Sequence, residues 1–345
     1  MTQATTTCGQ CAGPVLVGDR FCEGCGADLR VRRSGSTSSE PEQRCHGCGH
    51  VPGPDSDDEG FCPDCGLRYR GGSDRVEIDL DVLAGVSDRG HSHPHNEDAI
   101  ALGCYADAGT DPRIAAVVCD GVSSSRAPER ASQAAAEAAL DVLLDNSETA
   151  AGSAEQRVRA AVAAGARAVT AATPDARPDD ASCTIVAAVV DPSDPARPEI
   201  AVAWIGDSRA YWLAAPDAPE PSRRLTTDHS WAAQVADSTG EEPPEAPSGP
   251  FAHVLTRWVG PDGADEPDVT LLRPAGPGIL LLCSDGLWNY LPSATDLASA
   301  ALAVTGSEPG LALRQALALT TLALDAGGHD NVTVAVIPIT PRSST

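Results

Sequence analysis

Two sets of side chains in this chain could hold metal ions, and they call for different metals. The first set is cysteine. Cys8-x2-Cys11 joins Cys22-x2-Cys25, and Cys45-x2-Cys48 joins Cys62-x2-Cys65, each unit being two knuckles separated by a short loop. Four thiolates suit tetrahedral zinc, and an all-cysteine site keeps no open position for chemistry, so two structural Zn²⁺ ions are expected. Disulfides are the alternative pairing, which a reducing cytosol disfavours. Gly26, Gly49 and Gly66 each follow a knuckle, where a turn aiming N–H groups at sulfur needs positive φ. The second set is acidic: Glu97-Asp98, Asp120-Gly121 after AAVVC, Asp207 after WIG, Asp285-Gly286 after GILLLCS, and Asp330-Asn331 before VTVAV. Any one of these is a turn former at a strand end. Five together suggest more, because carboxylates brought close repel one another unless a cation neutralises them, and hard divalent cations take oxygen ligands.

The elements that would position these groups are legible in the apolar periodicity. Alternating or continuous apolar runs predict strands at Ile78–Val86, Ile114–Cys119, Ser182–Val190, Ile200–Ile205, Ala210–Ala214, Ile279–Cys283 and Val332–Ile337. Apolar residues recurring at three and four predict helices over Pro128–Leu144 and Gln156–Ala172. Two more are expected at Ser293–Val304, with Ser293 as the cap, and at Gly310–Asp325, stopping before Gly327-Gly328. The mixture of neighbouring strands and helical pairs is an α+β pattern. Polar composition marks residues 31–43 as a flexible linker, with small zinc units at 1–30 and 44–70 and one larger domain at 76–340.

Composition excludes several functions. The 345 residues carry a net charge of −25, which disfavours nucleic acid and anionic membrane surfaces as partners. Lysine is absent, so phosphate-loop, kinase and Schiff-base lysine chemistry are all ruled out. The longest apolar runs fall far short of the roughly 20 residues of a membrane span. No secretory signal opens the sequence, and a cytoplasmic location is expected. The acidic loop Asp55–Glu59 favours protein contact for the second zinc unit, with scaffolding as the other reading.

SDRGHSHPHNEDA, VCDGVSSS, WIGDSRAYW, LTTDHS, VLTRWVG, LCSDGLW and GHDNVTV resemble, in order and spacing, the motifs of the protein phosphatase 2C family, and the paired knuckles resemble zinc ribbons. The first resemblance spans about Val76 to Pro338 and implies a four-layer αββα sandwich, two antiparallel sheets flanked by helices, with two Mn²⁺ or Mg²⁺ ions at one end. It implies Asp98, Asp120, Asp285 and Asp330 as metal ligands, the Gly121 carbonyl beside them, Glu97 on a metal-bound water, and Asp207 at a third, weaker metal. The implied activity is hydrolysis of phosphoserine and phosphothreonine in proteins by a metal-bridged water, with Asp120 and Asp285 central, opposing a serine/threonine kinase. A weakly active or inactive domain recruited through its ribbons is the alternative.

Three departures stand out. His93 occupies the place of the family's phosphate-gripping Arg; it either donates to phosphate or is a loop polar like His91 and His95. Ser123–Ser125 replaces a glycine-rich turn, and Val122 stands where some members carry a histidine. His229 is expected to be structural, Cys104, Cys119, Cys183 and Cys283 to be small buried residues, and the Pro- and Glu-rich stretch Trp231–Ala252 to form a variable flap.

Overall fold

The apolar runs pair into two six-stranded sheets in a computed structural model of the chain. It describes residues 5–8, 11, 13–16, 19–34, 50, 64, 74–107, 110–147, 152–172, 181–194, 196–240, 249, 251, 253–306 and 309–341. Cys45, Cys48, Cys62 and Cys65, with residues 241–248, 250 and 252 of the flap, lie outside these residues.

Sheet I contains β4 (Arg75–Asp79), β5 (Ala84–Asp88), β10 (Arg209–Ala214), β11 (Arg223–Arg224), β13 (Gly278–Cys283) and β14 (Val332–Ile339), in the order β11-β10-β13-β14-β5-β4. Sheet II contains β3 (Val31–Arg33), β6 (Ala99–Tyr105), β7 (Arg113–Cys119), β8 (Ile185–Asp191), β9 (Glu199–Ile205) and β12 (Asp268–Leu272), in the order β12-β9-β8-β7-β6-β3. All pairings are antiparallel. The sheets face each other across Leu102, Val118, Val186 and Trp204 from sheet II and Trp212, Leu280, Leu282 and Ile337 from sheet I. A small sheet of β1 (Thr5–Thr7) and β2 (Pro14–Leu16) precedes them.

Helices cover both outer faces. On sheet II lie α1 (Pro128–Leu144) and α2 (Ala154–Ala172), where Ala131, Ala135, Ala139 and Leu143 form the buried stripe of α1 that the sequence period anticipates. On sheet I lie α5 (Ala294–Ala303) and α6 (Leu311–Asp325), alongside the single turn α4 (Asp285–Trp288). The expected αββα sandwich is what forms.

Several local expectations change. The run at Ile78–Val86 is two strands, broken where Asp81 takes a φ of 65° and its N–H donates to Asp79 Oδ1. Ser293 precedes α5 but makes no side-chain capping bond. The linker expected from residue 31 begins instead with β3, paired on β6. Helix α3 (Trp231–Thr239), capped by Ser230 Oγ accepting from the Ala233 N–H, and the edge strand β12 were not anticipated, being short.

Candidate metal centre

The strand register explains why the acids meet. Ala99 pairs with Cys119, so Asp98, just before β6, and Asp120, just after β7, flank the same end of sheet II. Cys283 pairs with Val334, bringing Asp285 and Asp330 to the corresponding end of sheet I. Asp207 sits where the chain crosses from β9 in one sheet to β10 in the other. That crossing needs glycine at 206, which has a φ of 106° and whose added Cβ would lie 2.6 Å from Thr184 side-chain carbons. At Gly121 a Cβ would meet the Glu97 carbonyl at 2.6 Å, so only glycine lets these two loops touch.

The electrostatics of the cluster are those of crowded like charges. Burial, then the charges of Asp330 and Asp285, push the Asp98 carboxyl up to about 7, against the hydroxyls of Thr333 and Ser284 that lower it. Asp285 is pushed up to about 7 by burial and by Asp330. Asp120 is raised by burial and by Asp98, Asp285, Asp207 and Asp330, and Asp207 by burial and by Asp285. Asp98 Oδ2 accepts from Ser284 Oγ at 2.8 Å, whereas its buried Oδ1 has no hydrogen-bond partner. A buried carboxylate oxygen without a donor is costly unless a cation meets it, so the residues present fit hard divalent cations.

The loop ahead of β6 is stitched to β14 by Asn331. Its Oδ1 accepts from the Glu97 N–H at 2.8 Å, and its Nδ2 donates to the carbonyls of Arg89 at 2.7 Å and His95 at 3.1 Å. Glu97 is held by Ser123, whose Oγ donates to Oε2 at 2.6 Å, so the serine run that departs from the family pattern clips a site acid. His93 joins the cluster, with Nε2 3.1 Å from Asp330 Oδ1, while Arg89 donates to the His93 carbonyl and faces Asp74 at 3.3 Å. The His91 N–H donates to Gly328 O at 2.7 Å, two residues before Asp330.

Sequence reasoning missed the pillar behind Asp207. Arg209 is fully buried and grips Asp228 with Nε at 2.9 Å and Nη2 at 2.6 Å, and its guanidinium lies 3.6 Å from the centroid of the Trp288 ring. Trp288 Nε1 donates to the Asp207 carbonyl at 2.9 Å. The available signal was an Arg and an Asp set among apolar residues in GDSRAYW and TTDH.

His229 is structural, as expected. Its Nδ1 accepts from the Gly206 N–H at 3.0 Å, and its Nε2 lies between Arg257 Nη1 at 2.9 Å and Asp268 Oδ2 at 3.2 Å. Protonating Nδ1 would break the bond to Gly206, and burial lowers the pKa below its usual 6.5, against the pull of Asp268. The unfolded chain therefore takes up this proton first as pH falls, so stability drops below about pH 6.5 until the folded ring protonates, by at most about 1.4 kcal/mol per pH unit. Urea denaturation at pH 7.5 and 5.5 checks this: His229→Gln will lose less stability across that interval than the unsubstituted protein.

The first cysteine unit fits zinc as closely. Cys8, Cys11, Cys22 and Cys25 place their sulfurs within 4.8 Å of one another, with Cys8–Cys25 at 3.8 Å and Cys11–Cys22 at 3.6 Å. A tetrahedron with Zn–S bonds of about 2.3 Å has edges of about 3.8 Å. The Ala27 backbone lowers the Cys25 pKa, but contacts with Cys11, Cys22 and Cys8 push it up to about 12. Gly26 has the expected positive φ, at 77°. Cys104, Cys119, Cys183 and Cys283 are all buried.

The sequence profile of the protein phosphatase 2C family matches residues 88–318, and the chain belongs to that family. The serine/threonine phosphatase stp of Listeria welshimeri is 31% identical over 154 residues, 45% of this chain and 55% of the relative. Protein phosphatase PhpP of Streptococcus pneumoniae is 31% identical over 135 residues, 39% of this chain and 51% of the relative. The chain thus spans about half the length of the curated relatives it matches. Among solved structures, the Mycobacterium tuberculosis serine/threonine phosphatase PstP/Ppp is similar with a TM-score of 0.57 at 28% identity, over 75% of this chain and 98% of that one. The catalytic domain of PstP in complex with two manganese ions is similar with a TM-score of 0.56 at 30% identity, over 74% and 97%. No helix among the described residues is long and apolar enough to cross a membrane.

Proposed function

We propose that this chain is a metal-dependent protein serine/threonine phosphatase that hydrolyses phosphoserine and phosphothreonine and opposes a serine/threonine kinase. The convergence of Asp98, Asp120, Asp285 and Asp330 from the facing ends of both sheets, with Asp98 Oδ1 unpartnered, carries the reading. The PstP catalytic domain with two manganese ions supports it. In this reading those four acids and the Gly121 carbonyl hold two Mn²⁺ or Mg²⁺ ions, with Asp207 toward a third. When bound, such a pair supplies an acidified water nucleophile and positive charge for the phosphoryl oxygens. The protein's own part is positional: Ser284 orients Asp98, Ser123 orients Glu97, and Asn331 fixes the loop bearing both acids. In the same reading His93, whose Nε2 lies 3.1 Å from Asp330 Oδ1, would donate to a phosphate oxygen. In the first cysteine unit, and by the same spacing in the second, zinc is structural.

The test is turnover of a phosphothreonine peptide by the purified chain. Release of phosphate in Mn²⁺ and none after chelation is expected; turnover that ignores metal, or no turnover in Mn²⁺ or Mg²⁺, overturns the proposal.

A further inference from the structure

The first cysteine unit does not stand away from the phosphatase fold. Directly after it, Val31, Arg32 and Arg33 pair antiparallel with Tyr105, Cys104 and Gly103, which makes β3 the outermost strand of sheet II. Ser34 extends the ladder: its N–H donates to Leu102 O at 2.8 Å, and its Oγ accepts from the Leu102 N–H at 3.1 Å. At the other end the Ala106 N–H donates to Arg30 O at 3.1 Å. Without this segment β6 would be an open edge, with backbone groups at 102, 104 and 106 unpaired.

Ion pairs accompany the ladder. The chain has 24 basic residues against 49 acidic ones, and three of the 24 fall within Arg30-Val31-Arg32-Arg33. Each meets an acid on a different part of the phosphatase fold. Arg30 reaches Asp107 past the end of β6 at 3.2 Å, Arg32 reaches Asp81 in the β4–β5 turn at 2.9 Å, and Arg33 reaches Asp141 on α1 at 2.5 Å.

Arg30 is the joint between the cysteine loop and the strand. It pairs with Asp28 through Nε at 2.9 Å and Nη2 at 2.5 Å. Its guanidinium lies 5.8 Å from the Phe21 ring centroid and 5.1 Å from that of Tyr105. Phe21, next to Cys22, bridges to Asp28, and the Cys22 N–H donates to Ala27 O at 2.8 Å. The direction in which β3 leaves is therefore set by the fold of the cysteine loop. Among the described residues that loop buries Cys8, Val15 and Cys22, with Ala27 and Leu29 packed against them, a core too small to order it without a metal.

We propose that the first cysteine unit is an intramolecular clamp: with zinc on its four thiolates it lays Val31–Arg33 along β6 and closes the edge of the sheet that carries Asp98 and Asp120. The inference rests on the zinc reading of Cys8, Cys11, Cys22 and Cys25. The Arg30–Arg33 side of this unit is committed to its own phosphatase domain. Losing zinc from the clamp would open a strand edge able to pair with another chain.

Amide hydrogen exchange on the full-length chain tests this, with zinc content measured on the same samples. Cys22→Ser/Cys25→Ser is expected to bind one zinc fewer and to exchange at least ~10-fold faster at Leu102 and Ala106, while Gly103, whose amide faces β7, keeps its protection. Cys62→Ser/Cys65→Ser, which spares the first unit, should leave Leu102 and Ala106 unchanged. Should the first variant not accumulate in folded form, Arg30→Ala/Arg32→Ala is read instead; it is expected to keep its zinc and still expose Leu102 and Ala106. Unchanged protection at both amides in zinc-depleted or Arg-substituted protein overturns the clamp. Zinc absent from the unsubstituted protein overturns the zinc reading itself.

Discussion

Asp285→Asn and Asp120→Asn will each cut Mn²⁺-dependent turnover of a phosphothreonine peptide by more than about 100-fold, since replacing mere supporting partners of metal ligands already costs about 10- to 100-fold. A second readout separates loss of a ligand from loss of fold. In metal-free protein burial and then the charge of Asp330 push the Asp285 carboxyl up to about 7 from an ordinary 3.8. A raised carboxylate contributes stability at low pH that is lost as pH rises through the folded value, because only the unfolded chain then ionises freely. Metal-free Asp285→Asn will therefore be at least as stable as the unsubstituted chain at pH 8, and the advantage will shrink by pH 5, as thermal unfolding in chelator will show. A variant that is both inactive and less stable at pH 8 would mean that Asp285 serves packing and not metal.

Asp228→Asn will destabilise the fold by about 3–5 kcal/mol, the cost of leaving one charge of a buried pair without its partner. Arg209 has no solvent exposure and Asp228 is 5% exposed at the side chain, so neither charge can turn to water. Arg209→Met/Asp228→Leu will lose much less than the sum of the two single substitutions, because an apolar pair of similar volume removes the desolvation cost along with the attraction. Urea denaturation of the three variants measures the coupling, and additive losses would show that the pair is not a unit. The same residues stand behind the candidate metal centre. Trp288 lies on the Arg209 guanidinium and donates to the Asp207 carbonyl, so Asp228→Asn will also weaken whatever Asp207 holds.

The recognisable motifs and the buried pillar differ in how they can be read from sequence. Asp98, Asp120, Asp285 and Asp330 each sit beside a long apolar run, and a carboxylate at the end of a buried strand can be found by inspection. Asn331 and Ser284 lie within the same motifs, but their partners are 234 and 186 residues away, so their hydrogen bonds could not be inferred from spacing. Arg209 and Asp228 are 19 residues apart on a strand and a loop, and nothing local says that one covers the other. Ser123 was read as a departure from the family pattern, and its bond to Glu97 emerges only when two loops meet.

What the sequence determined by itself is the local chemistry and the period of each element. Thiol pairs at knuckle spacing, acids at the ends of apolar runs, alanine stripes at helical spacing and glycines at sharp turns all follow from rules spanning a few residues. What only the tertiary structure decided is which of these meet. Residues 31–43 had the composition of a flexible linker, and nothing within Val31-Arg32-Arg33 says strand. The segment becomes one because the edge of β6 offers unpaired backbone groups, and Asp107, Asp81 and Asp141 stand where three arginines can reach them. Strand pairing is a bargain between distant segments, and the partner here begins about 70 residues further along the chain.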